Sequence, residues 1–284
     1  MFKKALVGVD LSPAERPLLG CVPELKRWGV DAIILAHVIR IGYVEGAGYG
    51  HEDEYRQWLE RQAAPLRAAD LDVAVSVTAS GVPADELLAI ARKSAVDLVV
   101  VGSRSHTLAH DLFLGSVAKD VVRKSPTPVL IEWIEASEAG TAGKYAPVCE
   151  RKLDRILLAT DLSEHSTAAE DAAVFLSARA GETDVLTVLP DERPTTFNPE
   201  RDDVAKGLER VMKRVEQQGG RGRPRIEHGD PASVIARVAD QGYTLIVLGK
   251  HGRNWIEDMI IGSTAAKVCE TAKRPVLIVP LQKK

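Results

Sequence analysis

The feature that most constrains this 284-residue chain is that it repeats itself. Residues 5–12 read Ala-Leu-Val-Gly-Val-Asp-Leu-Ser, and 156–163 read Ile-Leu-Leu-Ala-Thr-Asp-Leu-Ser. Leu98-Val-Val-Val-Gly-Ser103 matches Leu245-Ile-Val-Leu-Gly-Lys250. Leu114-Gly-Ser116 matches Ile261-Gly-Ser263, and Pro128-Val-Leu-Ile131 matches Pro275-Val-Leu-Ile278. The offset is 151 at Asp10/Asp161 and 147 from Gly102/Gly249 onward, a drift that small loop insertions produce. Self-similarity of this kind means two copies of one domain rather than one large fold. We place them at 1–134 and 153–284. Residues 135–152 are rich in small and polar types, without an apolar period, and read as a linker.

Each half alternates short apolar runs with longer helical patterns. In the second half the runs fall at 155–159, 183–189, 223–227, 243–248 and 275–279, with helices near 164–180, 200–218, 231–241 and 263–273. The first half places strands near 5–9, 32–39, 72–78, 97–101 and 128–133. Runs such as Leu245-Ile-Val-Leu248 are apolar on both faces, as buried parallel strands are. Strand–helix–strand alternation predicts an α/β domain, a parallel sheet with helices on both faces. Ser163, Asp230-Pro231 and Ser263 are helix start signals.

Composition narrows the function classes. Hydrophobic residues make up 45% and charged residues 27%, which is ordinary for a globular chain. Lys+Arg number 37 against 40 Asp+Glu, a net charge of −3, so no nucleic-acid or membrane-surface partner is expected. No apolar run approaches a membrane span, and the first residues lack a signal-peptide pattern, so a cytoplasmic location is the expectation. Three widely spaced cysteines do not form a disulfide framework or a metal site; Cys21 and Cys269 read as buried free thiols.

Ligands of open α/β sheets bind beyond the carboxyl ends of the strands. In the second half two features meet there. Asp161 follows the first strand. After the fourth comes Gly249-Lys-His-Gly252, nine residues, and Gly262-Ser-Thr264. Gly249 and Gly252 permit positive φ and close backbone approach. Gly262-Ser263-Thr264 opens the last helix, whose N–H groups and dipole suit a phosphate. Lys250, His251 and Arg253 add positive charge. No Gly-x4-Gly-Lys-[ST] loop is present, so a P-loop ATPase is not indicated, and no aspartate follows the third strands as a phosphoacceptor.

The spacing Gly-x2-Gly-x9-Gly-Ser at Gly249, Gly252, Gly262 and Ser263, the opening Ala-Thr-Asp-Leu-Ser and the closing Arg-Pro-Val-Leu-Ile-Val-Pro resemble the universal stress protein family. The resemblance covers nearly the whole chain, as two tandem domains. It implies doubly wound, five-stranded sheets of order 3-2-1-4-5 and an adenine nucleotide (ATP, ADP or AMP) in the crevice. Asp161 would lie by the ribose and Val188 would meet adenine through its backbone. Gly249, His251, Gly252, Gly262, Ser263 and Thr264 would surround the phosphates. No acidic pair for Mg is evident. The closing strands, 128–133 and 275–279, are apolar edges that invite pairing; family members dimerise this way, which implies an intrachain pseudo-dimer, either alone or as a homodimer.

The first half departs from the motif. Asp10, Val38, Gly102, Gly115 and Ser116 remain, but Ser105 stands at the second glycine. That site is degenerate or takes a smaller ligand, so one nucleotide per chain is expected. The function read is an adenine-nucleotide-binding regulatory module of stress response, with a protein partner undefined. The alternatives are a slow ATP hydrolase and a nucleotide-independent interaction scaffold. Residues 42–50 read as a loop, or a lid on the first site; His106 and His110 as a solvated pair; His37 as core; Trp255, Ile256, Met259, Ile260 and Ile261 as packing under the glycine loop, or a partner surface.

Overall fold

The computed structural model of the chain describes residues 1–11, 15–40, 52–103, 114–134, 151–190, 199–253 and 260–281. It divides into two units, Met1–Glu150 and Arg151–Lys284. The linker assignment over 135–150 and the loop at 42–50 lie outside the described residues, as do Ser105, His106, His110, Trp255, Ile256 and Met259.

In the first unit the order is β1 (Lys4–Gly8), α1 (Glu15–Cys21), α2 (Leu25–Trp28), β2 (Ala32–Arg40), α3 (Glu52–Ala68), β3 (Asp72–Ser80), α4 (Pro83–Lys93), β4 (Leu98–Gly102), α5 (Ser116–Lys124) and β5 (Val129–Glu132). All pairings are parallel and run β3-β2-β1-β4-β5. The second unit carries β6 (Arg155–Ala159), α6 (Thr167–Ser177), β7 (Glu182–Leu189), α7 (Pro199–Gln217), β8 (Pro224–His228), α8 (Pro231–Ala239), β9 (Leu245–Gly249), α9 (Ser263–Thr271) and β10 (Val276–Val279). Its strands are also parallel, in the order β8-β7-β6-β9-β10. Within each unit the order is therefore 3-2-1-4-5, and the strands fall within a residue or two of the apolar runs.

Burial explains the match. Leu6, Val7, Leu35, Leu98 and Leu130 in the first sheet, and Leu157, Leu158, Leu186, Ile246 and Leu277 in the second, are essentially inaccessible. Each such side chain contributes about 1.5–3 kcal/mol of burial, and inner strands covered on both faces need unbroken apolar runs. Helix starts are chemically marked. Asp230 caps α8 by accepting from the Ser233 N–H at 3.0 Å, with Pro231 at the first turn. Ser163 makes no such cap; its hydroxyl turns to Asp161.

The cysteines correct one expectation. Cys269 is a buried free thiol, pushed up to about 12 by burial. Cys21 is buried and disulfide-bonded. Sequence separation says little about which thiols a fold brings together, so spacing gave no warning.

Candidate functional site

The crevice of the second unit is built where β6 and β9 end. Parallel pairing of β6 with β9 (Ala159↔Leu248) brings the segment after Ala159 beside the one after Leu248. The chain then turns sharply: Leu162 has φ 60°, in the left-handed region. A branched residue there costs roughly 1–2 kcal/mol, so the surroundings must hold it. They do so by hydrogen bonds. The Leu162 N–H donates to Thr160 Oγ1 at 2.9 Å, and Thr160 Oγ1 donates to the buried Glu170 Oε1 at 2.9 Å. Arg214 of α7 reaches the other oxygen of Glu170 at 3.4 Å. Thr187 Oγ1 of β7 donates to Thr160 O at 2.9 Å.

This turn presents Asp161. Its Oδ1 accepts from the Ser163 N–H at 3.1 Å, from Ser163 Oγ at 2.7 Å and from Ser166 Oγ. Its Oδ2 accepts the backbone N–H of Arg253, and the Arg253 guanidinium donates to Asp161 O at 3.1 Å. Burial pushes the carboxyl pKa up, but the donors of Ser166, Ser163 and Arg253 outweigh it and leave the pKa below the usual aspartate value. Asp161 is thus a fixed anion that ties the first loop to the glycine loop.

That tie explains two of the three glycines differently from the sequence reading. Neither Gly249 nor Gly252 has positive φ. What excludes a side chain is space. A Cβ on Gly252 would lie 2.7 Å from Asp161 Oδ2, and one on Gly249 would lie 2.9 Å from His251 O. Gly262 is the opposite case. A Cβ there would meet Lys250 O at an ordinary 3.4 Å, and the backbone is extended at φ −66°. The fold alone does not demand glycine at 262.

Gly262 is the N-cap of α9 and offers no side chain to the first turn. Its own N–H donates to Lys250 O at 2.9 Å, which sets the helix start against the glycine loop. Ser263 is exposed and Thr264 half-buried at that terminus. Gly249, His251, Gly252, Gly262, Ser263 and Thr264 therefore share one rim with Asp161. Val188, half-buried near the end of β7, belongs to the strand paired with β6. The extra positive charge is modified: Lys250 is buried, which lowers its ammonium to about 8, and Arg253 is bound to the Asp161 carbonyl. Among the described residues no cluster of three acidic, His or Cys side chains forms a metal site.

The first unit repeats the frame. Leu11 has φ 59°, matching Leu162. Gly115 caps α5 as Gly262 caps α9, and its N–H donates to Ser103 O at 3.1 Å. Gly102, Gly115, Ser116, Asp10 and Val38 occupy the places of their counterparts, while Ser105 is outside the described residues. His37, read as core, is buried; its Nδ1 lies 2.8 Å from Val9 O, and its ring packs on Tyr55 at 5.1 Å. Burial lowers its pKa more than the Val9 carbonyl and Asp10 raise it. Sequence reading missed Leu162, Thr160 and Glu170 altogether. The repeated Asp-Leu-Ser was the available signal, because an Asp-x-Ser turn can place its middle residue in an unusual conformation.

Comparison with known proteins falls in line with this geometry. The model of the universal stress protein family matches residues 1–131 and again 152–280. The universal stress protein YxiE of Bacillus subtilis is 32% identical over 146 residues, covering 46% of this chain and 99% of that protein. A universal stress protein of Methanocaldococcus jannaschii is 28% identical over 153 residues, 46% of this chain and 94% of that protein. The crystal structure of a universal stress protein from Archaeoglobus fulgidus superimposes with a TM-score of 0.71 at 23% identity, covering 98% of this chain and 96% of that one.

Proposed function

The chain belongs to the universal stress protein family as two tandem domains, and on that premise we propose that its second domain holds an adenine nucleotide and acts as a nucleotide-dependent regulatory module. The observation that carries the reading is the contrast among its glycines. Gly249 and Gly252 are required by contacts inside the protein, but Gly262 is not. A glycine without an internal reason, at a helix start whose first turn is uncapped, supports close approach by an anion.

The rest of the rim fits a nucleotide. Ser263 and Thr264 carry hydroxyl donors for phosphate oxygens, and the α9 dipole favours negative charge. Asp161, held ionised, is an acceptor for ribose hydroxyls at the opposite side. Val188 offers backbone polar groups to a base edge. Binding without rapid turnover is favoured over hydrolysis. Asp161 is committed to four donors, which leaves it poorly placed to deprotonate water. Calorimetry with ATP, ADP and AMP, beside a turnover assay, tests the reading. Binding lost in Gly262→Val while the variant melts like wild type is the expected result. Unchanged affinity in that variant contradicts the site.

A further inference from the structure

Glycine is among the poorest residues for a helix interior, yet Gly207 stands near the middle of α7. Its reason is again space. A Cβ there would lie 2.6 Å from Leu162 Cδ1 and 3.4 Å from Leu162 Cδ2 and Cγ. The bare backbone of α7 is thus the surface on which the side chain of left-handed Leu162 rests, one residue after Asp161. Seven residues further along the same face of α7, Arg214 reaches Glu170 Oε2 at 3.4 Å. Glu170 accepts from Thr160 Oγ1, which in turn accepts the Leu162 N–H. Two contacts of α7, one of shape and one of charge, therefore end on the turn that carries Asp161.

The first unit keeps the left-handed leucine and replaces both contacts. Helices α3 and α7 end alike: the Asp70 N–H donates to Arg67 O as the Gly219 N–H donates to Glu216 O, and both residues have positive φ. That match sets an offset of 149 between the two helices, which puts Trp58 at the place of Gly207 and Pro65 at the place of Arg214. At the 151 offset of the preceding segment, Val9 and Leu19 stand where Thr160 and Glu170 stand. Pro65 and Leu19 cannot form the ion pair, and a tryptophan leaves no bare backbone for Leu11 to rest on. The helix contacts and the network behind Asp161 are exchanged together between the copies.

We propose that Gly207 is a positioning residue for the second crevice: by admitting Leu162 against α7 it fixes where the Asp161 carboxylate stands, and so sets how well the site holds the ribose hydroxyls of a nucleotide. Asp161 has little freedom to make up for a displaced turn. Its Oδ2 is tied to the Arg253 N–H, and a Cβ on Gly252 would lie only 2.7 Å from that oxygen. A side chain at position 207 pushes Leu162 away from α7, and the turn can follow only by breaking the tie to Arg253 or by dragging the glycine loop with it. Hydrogen bonds weaken steeply once distance and angle leave their narrow range, so a small shift of the carboxylate is felt at the hydroxyls it accepts. Groups of the ligand that do not meet Asp161 are unaffected.

The proposal rests on the nucleotide reading of the second domain, and the test separates the two. ATP and its dideoxy analogue, which lacks both ribose hydroxyls, are titrated into the full chain. The same titrations are run on Gly207→Ala and Gly207→Leu, and on each with Leu162→Ala added. Leucine at 207 should cost about tenfold in ATP affinity and alanine about threefold, the size of an overpacked contact. Affinity for the dideoxy analogue should stay within about twofold. Truncating Leu162 should restore ATP affinity to both variants. Equal losses for the two ligands, no loss, or no restoration overturn the proposal. Alanine is a better helix former than glycine, so Gly207→Ala decides the matter even where Gly207→Leu fails to fold. Absence of ATP binding by the unaltered chain marks instead a failure of the nucleotide reading. Gly207 is tested even then by amide exchange in the ligand-free chain. The N–H groups of Leu162 and Arg253, held by Thr160 Oγ1 and Asp161 Oδ2, should exchange faster in Gly207→Ala and recover when Leu162→Ala is added. Unchanged rates overturn the proposal.

Discussion

In both halves of this protein a parallel strand ends, an aspartate follows, a leucine turns left-handed, and a glycine-capped helix begins nearby. The two crevices share that backbone and differ behind it. Behind Asp161, Thr160 bonds the buried Glu170 and the Leu162 N–H, and Ser166 donates to Asp161 itself. At the matching positions the first copy has Val9, Leu19 and Glu15, and Glu15 is buried with its Oε2 unpaired. A repeat can thus keep its backbone turn while changing the side chains around it. In the second copy the strained turn is held by the Thr160 hydroxyl, whereas the valine at the matching place in the first copy has no such group.

The largest break in the comparison comes from Gly252→Val. Its side chain would enter a space where a Cβ already lies 2.7 Å from Asp161 Oδ2. ATP affinity at pH 8 should fall more than about a hundredfold, roughly 2.7 kcal/mol. Gly115→Val in the first copy should leave the affinity measured at that pH unchanged. Calorimetry on both variants reads this directly, and equal losses would erase the distinction between the crevices.

Making the second copy resemble the first is the next test. Thr160→Val puts the Val9 side chain behind Asp161, removes two hydrogen bonds and leaves Glu170 short of a donor. Destabilisation of about 1–3 kcal/mol is expected, read as a lower urea midpoint for unfolding of the second unit. A midpoint within error of wild type would mean that the network does not hold the turn.

A smaller effect is the pH dependence that Asp161 brings to the second copy. The donors on Asp161 lower its pKa, so its stabilising share is present above the unfolded value of 3.8 and is lost as pH falls through the lower folded value. Asp161→Asn should melt below wild type at pH 7, and the gap should narrow progressively as pH falls below 3.8. A gap that stays constant as the pH falls would place the cost elsewhere than in the charge.

The smallest expected change in stability is that of Gly262→Ala. Its Cβ would make an ordinary contact with Lys250 O, and replacing glycine at an N-cap costs about 1 kcal/mol or less. Melting should scarcely move while ATP binding weakens. Equal losses in both would assign Gly262 to the fold instead.

The strands and their order were legible in the sequence because inner parallel strands must be apolar on both faces, as Leu245-Ile-Val-Leu248 is. The site was legible in part. Asp161 and the glycine spacing mark where the loops meet, since those residue types serve few other purposes at strand ends. What stayed hidden was three-dimensional. Nothing in the order of residues announces that Glu170, nine positions beyond Asp161, reaches back under the turn. Nor does it show that Gly252 makes room for a carboxylate rather than for positive φ. Cys21 escaped for a similar reason, because a disulfide is a matter of approach and not of spacing.

The asymmetry of the two crevices is tested most directly by the stoichiometry of ATP binding to the unaltered chain at pH 8. One site per chain, abolished by Gly252→Val and untouched by Gly115→Val, is the expected result. Two sites of equal affinity would contradict it, because Ser105 would then make no difference where Gly252 stands in the other copy.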